Sequence, residues 1–260
     1  MATLARIGVT AVKGTALSHP DRVELTLEGI PGNRRFHLAD PTGSDVGVFD
    51  VGSLVTVRCD HDMQTDALRC VFPDGTIAEG AGSDVGERTL TRMSEHDVSG
   101  RVVEGPFAAA FSAFLGRSVR LIRADRDVDG NDVEPVTLVS YASVEDLARR
   151  GARPGEDLDA RRFRMNLELS GTEPYEEDSW EGRRVQIGEA VLLIGGQVPR
   201  CRVTNQDPLS GERDFPTLST ITSYRPRMAD GKGIPFGVYA TVLHPGIART
   251  GDDVTPLPPA

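Results

Sequence analysis

Apolar positions in the first part of the chain come in short alternating runs separated by turn residues. The pattern predicts strands over residues 5–12, 23–28, 35–39, 54–58, 68–72 and 101–103. Pro31-Gly32-Asn33, the run from Asp40 to Gly43, and Pro73-Asp74-Gly75 supply turns between them. Residues 78–97, rich in Gly, Ser, Asp and Glu, read as an exposed loop. The character changes at Pro106. Phe107, Phe111, Phe114 and Leu115 fall on one side of a helix over 107–115, which Gly116 ends. A strand over 119–123, an acidic loop over 125–134 and a short apolar strand over 136–139 lead to a second helix. Ser143-Val144-Glu145-Asp146 fits a capping-box-like start, and this helix stops at Gly151. Further strands are expected at 163–169, 184–187, 190–194 and 239–243, with a frayed tail over 255–260. The result is a mostly β fold with a few helices, a small barrel or sandwich in the α+β class.

The chain has 260 residues, enough for one large domain or two modest ones, and 38% hydrophobic with 26% charged residues suits a globular protein. A net charge of −10 argues against nucleic acid or an anionic membrane as partner, since both select basic faces. No stretch is apolar enough to span a bilayer, and the N-terminus lacks the basic and apolar regions of an export signal, so the cytoplasm is expected. Three cysteines do not make a disulfide scaffold. Cys59 and Cys70 flank His61, yet a structural zinc site needs four ligands and no fourth stands nearby; the two segments read instead as strands joined by a polar loop. Phosphate loops, G-x-G-x-x-G turns and G-x-S-x-G elbows are absent from the sequence.

Two features carry chemistry. The apolar run from Val191 leads into Pro199-Arg200-Cys201-Arg202, a cysteine between two arginines. The thiolate is the nucleophile and metal ligand, and nearby cations favour it. A cysteine is also a common small buried hydrophobe. Arginines crowd into one segment, with Arg149, Arg150, Arg153, Arg161, Arg162 and Arg164 close together, while Asn33-Arg34-Arg35 is a second basic patch and Lys13 stands alone at the end of the first strand. Arginine's planar fork suits phosphate and carboxylate. Pairing with Glu156, Asp157, Asp159 and Glu168 accounts for most of them as ordinary surface charge. It accounts less well for 162–167, where alternation would set Arg162, Arg164 and Asn166 opposite Phe163, Met165 and Leu167.

In order along the chain, these segments resemble the MOSC proteins, in the branch with an N-terminal β-barrel domain that includes the mitochondrial amidoxime-reducing component and bacterial reductases of N-hydroxylated bases. Thr10-Ala11-Val12-Lys13-Gly14 is similar to that family's Y-P-V-K-S opening, and the segment from Gly32 to Asp40 to its G-D-R-x-W/F segment. Residues 138–143 resemble S-E-A-S, and Arg162-Phe163-Arg164-Met165-Asn166 resembles R-F-R-P-N. Glu177 to Trp180 then precedes Pro199-Arg200-Cys201, with Thr204, Asp207-Pro208 and the segment 217–225 closing the pattern.

The resemblance implies an N-terminal β-barrel domain over 1–105 packed on a MOSC β-barrel domain over 106–260. It also implies a molybdenum cofactor, a metal held by a pterin dithiolene with a terminal phosphate. Cys201 would ligate the metal. Lys13 and Arg34 would face the pterin or its phosphate, with Arg35 as substitute for Arg34, and Ser140, Ser143, Arg164, Asn166, Arg200 and Thr204 would hold it from the other domain. Gly14, Asn33, Tyr141 and Met165 depart from the family's serine, aspartate, glutamate and proline, which bears on substrate and electron donor more than on cofactor binding. The implied activity is reduction of N-hydroxylated or N-oxide substrates by oxygen-atom transfer to molybdenum. Cys201 is catalytic, and Asp207 is either a proton relay or a structural residue beside Pro208. The chain shows no four-cysteine ferredoxin-like segment, so electrons are expected from a separate ferredoxin or flavoprotein reductase. The rival readings are a sulfur carrier or transferase using a Cys201 persulfide, and a cofactor carrier without turnover.

Overall fold

The computed structural model describes residues 1–93, 96–126, 133–151, 158–228, 231 and 233–258. The first strands are β1 (Thr3–Ile7), β2 (Arg22–Leu25), β3 (Phe36–Ala39), β4 (Asp45–Val46), β5 (Arg58–Asp62), β6 (Ala67–Val71), β7 (Ile77–Ala81), β8 (Val85–Arg92) and β9 (Asp97–Val103). Helix α1 (Phe107–Leu115), β10 (Arg120–Ala124), β11 (Val136–Ser140), α2 (Tyr141–Arg150) and β12 (Leu167–Ser170) follow. The chain continues through β13 (Arg184–Ile187), β14 (Ala190–Arg200), α3 (Thr217–Thr222), β15 (Ile234–His244), β16 (Gly246–Arg249) and β17 (Val254–Pro256). None of the described helices is long and apolar enough to cross a membrane.

Seven strands form the larger sheet in the order β1-β12-β11-β15-β14-β13-β17. Its edges meet. Leu4 donates to the Asp252 carbonyl and Val254 to the Ala2 carbonyl, so the sheet nearly closes into a barrel. Inward side chains such as Leu4, Ile7, Leu138, Leu167, Leu192 and Val238 fill it, with Trp180 sealed against them. The smaller sheet runs β4-β3-β10-β9-β8, beside a three-stranded meander β5-β6-β7. Its core is closed by Phe107 and Phe111 of α1. Gly116 ends α1 in the left-handed region at φ 63°, where a residue without Cβ meets no steric cost. The mostly β architecture expected from the sequence is therefore the one observed. Domain organisation is less simple than a division at Pro106: β1 sits in the larger sheet, and α1 and β10 belong with the smaller one.

Several elements differ from the sequence expectation, each for a physical reason. Residues 78–97 hold most of β7, all of β8 and the start of β9 rather than a loop. Strand β8 buries only Thr91 among its eight residues, so its backbone pairing leaves no apolar alternation to read. At 52–56 a 3-10 turn buries Leu54 and Val55, and the strand begins only at Arg58. Helix α2 is capped by Ser140, whose hydroxyl accepts from the Ser143 amide, so Ser143 lies inside the helix and not at its start. The expected alternation over 162–167 is broken by a 3-10 turn at Ala160–Phe163 and by Arg164, which stands at φ 53°. Of the acidic loop and the arginine-rich segment, residues 127–132 and Arg153, Glu156 and Asp157 lie outside the described residues.

Strand β14 positions the site. Ala190, Leu192 and Ile194 point into the barrel, and then the pairing with β15 shifts register between Ile194 and Gln197 and again before Pro199. Gly195 and Gly196 sit at the Ile194–Gln197 shift, the kind of irregularity that glycine accommodates in a strand. Cys201 follows just past the strand end and is exposed.

Candidate functional site

Cys201 is exposed, whereas Cys59 and Cys70 are buried. Those two stand directly opposite on β5 and β6, with their sulfurs 2.8 Å apart, and His61 bonds Asp66 instead of joining them. The Cys201 carbonyl accepts from the Thr204 amide at 3.2 Å and from its hydroxyl at 3.0 Å, closing a 3-10 turn at Arg202–Asn205. The buried Thr204 is fixed in turn: Arg162 donates to its carbonyl at 3.1 Å and reaches Asp214 at 2.7 Å. A chain of bonds thus runs from an ion pair with a buried guanidinium to the backbone that carries the cysteine.

Two residues after Cys201, Val203 helps to line a small cleft. One wall is Arg161, Arg162 and Arg164, another is Val203, Gln206, Asp207 and Pro208, and Val48 and Val55 come from the first part of the chain. Arg34 and Arg164 both hold left-handed backbone, at φ 55° and 53°. They interlock: Arg34 donates to the Arg164 carbonyl at 3.0 Å, and Arg164 donates to the Thr15 carbonyl at 2.6 Å. Left-handed non-glycine residues cost about 1–3 kcal/mol each and cluster where function holds them. Lys13, two residues before Thr15, lies 3.6 Å from Asp45. Arg34, Arg164 and Thr15 are thus tied to one another and Thr204 to Cys201, while Lys13 stands two residues before Thr15.

The remaining expected residues take other roles. Ser140 and Ser143 have no exposed surface, their hydroxyls lie 2.7 Å apart, and Ser143 donates to Glu177 at 2.9 Å. They lock the start of α2 and do not face the cleft. Asn166 is buried, accepts from Thr137 and donates to the Gly8 carbonyl, so it ties β1 to β11 instead of a ligand. Arg200 turns inward, donating to the carbonyls of Phe236 at 2.8 Å and Phe163 at 3.0 Å, and braces β14 from inside. Arg202 reaches the other way, to Phe49. Asp207 lines the cleft, but one carboxylate oxygen accepts from Leu209 and from Ser210 at 3.0 and 2.8 Å. Partial burial opposes its ionisation, and the loop amides outweigh that, holding its carboxyl below the ordinary carboxylate range. A carboxylate held this way fits a loop anchor better than a proton donor. Gln206 is a residue that the sequence did not single out, and Arg161 entered only as one of the crowded arginines. Arg161 forks onto Asp159, and the Gln206 side-chain oxygen is buried at the cleft wall with no hydrogen-bond donor.

Glu177 anchors the serine pair and the site behind it. It accepts from the Ser140 amide at 3.2 Å, and burial pushes its carboxyl up. In this case the fold binds the proton more tightly than the unfolded chain does. Its contribution is therefore greatest below the ordinary carboxylate range and is lost as pH rises through the raised value. Glu177→Gln keeps the acceptor and removes the charge, so it is expected to hold or raise stability near neutral pH and to flatten that pH dependence. Glu177→Ala orphans buried donors and is expected to cost about 1–3 kcal/mol for each. Urea melts at several pH values distinguish these outcomes, and an equal loss in both variants would contradict the assigned role.

Residues 125–255 match the family model of the MOSC domain. The chain is 36% identical to the mouse mitochondrial amidoxime-reducing component 1 over 97% of its own length and 81% of the mouse protein. It is 38% identical to a rice molybdenum cofactor sulfurase over 39% of this chain and 13% of that protein. Among solved structures, the YUAD protein of Bacillus subtilis matches at a TM-score of 0.44 and 15% identity, covering 98% of this chain and 94% of that one. The mouse relative is named for mitochondria, a compartment other than the cytoplasm expected from the sequence.

Proposed function

Because the chain belongs to the MOSC-domain family, we propose that it holds a molybdenum cofactor through Cys201 and reduces N-hydroxylated or N-oxide small molecules. The observation that carries this reading is an exposed cysteine just past the end of β14, two residues before Val203 in the wall of an arginine-lined cleft. The residues fit such a group. A lone accessible thiolate is a soft metal ligand, interlocked guanidinium groups suit a phosphate, and the orphaned Gln206 oxygen is an acceptor for a ring N–H. When bound, the cofactor supplies two-electron oxygen-atom transfer.

The rest belongs to the chain. Cys201 anchors the metal, Arg164, Arg34 and Lys13 neutralise the phosphate, and the Arg162–Thr204 link fixes the cysteine backbone. The overall reaction consumes an N–OH compound, two electrons and two protons and yields the N–H compound and water. The electrons are proposed to come from a separate ferredoxin or flavoprotein reductase. The similarity to a cofactor sulfurase favours a second reading, in which Cys201 carries a persulfide.

One experiment separates them. Protein from a molybdate-fed host is expected to contain near-stoichiometric molybdenum and pterin and to reduce an amidoxime with an artificial electron donor. Cys201→Ala should lose the metal, while Cys59→Ser and Cys70→Ser should keep it. Fresh wild-type protein without molybdenum or pterin would overturn the reading in favour of the persulfide.

A further inference from the structure

Phe49 is the one exposed aromatic residue among those described, 50% accessible, in a structure that buries most of its phenylalanines. It stands on a tight turn in which Asp50 and Val51 donate to the Gly47 carbonyl and Gly47 donates to the Asp50 carboxylate. That turn belongs to the first part of the chain, yet its closest tie is to the residue after Cys201. Arg202 donates to the Phe49 carbonyl at 3.0 Å and lays its guanidinium 3.7 Å from the ring centroid. Leu209 is 61% accessible on the loop that Asp207 anchors. The two loops abut, since a Cβ on Gly52 would fall 2.4 Å from the Gly211 carbonyl. Val48 and Pro208, the neighbours of the two exposed residues, both line the cleft.

The geometry points to Phe49, backed by Arg202 and with the exposed Leu209 on the abutting loop, as a stacking platform that selects flat conjugated substrates at the Cys201 site. This rests on the reading of that site as a reductase of N-hydroxylated compounds. An exposed ring held by a backbone bond and by a cation on one face is preorganised to receive a second flat group, and aromatic rings pair best offset or edge-on. The charge of Arg202 adds selectivity of its own. An amidoxime is a neutral weak base and its amidine product is a cation, so the guanidinium disfavours the product and promotes its release. Phe49 acts here as a specificity residue, since it touches neither the cysteine nor the cationic wall.

The test compares an aryl amidoxime with an alkyl amidoxime of similar size on cofactor-loaded protein. Phe49→Ala is expected to raise KM for the aryl compound by about 2- to 10-fold, the worth of one aromatic stack. Its kcat and its KM for the alkyl compound should be unchanged, and Phe49→Tyr should restore the wild-type ratio. In Phe49→Trp, the new indole fluorescence should be quenched by the aryl compound and not by the alkyl one, which reads binding without turnover. Equal KM shifts for both compounds, or no preferential quenching, would overturn the platform. Preferential quenching with no turnover of either compound would leave the platform standing and sink the reductase reading instead.

Discussion

Asp214→Ala is expected to lower stability by about 3–5 kcal/mol, because it strips a buried guanidinium of its carboxylate. The Arg162 side chain is 1% exposed, and its ion pair with Asp214 spans 52 residues of sequence. Removing the carboxylate leaves the charge inside the protein with the Thr204 carbonyl as a much weaker counterpart. Because Thr204 also carries the Cys201 carbonyl, the variant should lose cofactor more readily as well as unfold earlier. Asp214→Asn keeps an acceptor and should fall between the two. Denaturant melts measure the first effect, and a loss below about 1 kcal/mol in the alanine variant, the ceiling for an exposed pair, would show that the pair is solvated.

Arg164→Ala is expected to weaken cofactor retention by about tenfold to a hundredfold, the worth of one charge-assisted hydrogen bond. Alanine is the informative substitution here. It keeps a Cβ, so the left-handed backbone at φ 53° costs what it did before, and the change reports the guanidinium alone. The variant also loses the bond to the Thr15 carbonyl that ties the two parts of the chain across the cleft. Molybdenum and pterin remaining after extended dialysis measure the effect, with Arg164→Lys as the control that keeps charge without the planar fork. Retention equal to wild type in Arg164→Ala would remove this residue from the cradle.

Apolar alternation revealed the strands that face a core, such as β6 and β13, and the phenylalanine spacing revealed α1 with its glycine stop. It missed β8, whose pairing is backbone and whose side chains are nearly all polar. Cys201 was recognisable because a cysteine between two arginines is chemically unusual, although those arginines turn to Phe236 and Phe49. Ser140, Ser143 and Asn166 show where residue type stops being informative. A hydroxyl or amide that faces a ligand reads the same as one that satisfies Glu177 or Gly8, and those counterparts lie 34 to 158 residues away. Sequence carries the donor set; which donors are already used is decided by long-range packing.

The seam between residues 2–4 and 251–254 has a consequence for how the protein is made. A ribosome releases β1 well before the strands it pairs with, since its neighbour β12 begins at Leu167 and the seam at Gly251. Leu4 and Ile7, fully buried in the finished barrel, must wait in water or in the care of a chaperone until residues 251–254 have emerged. Such distant pairing slows folding, since the entropy of closing the long loop is lost before the contacts form. A strand made early is thus enclosed late.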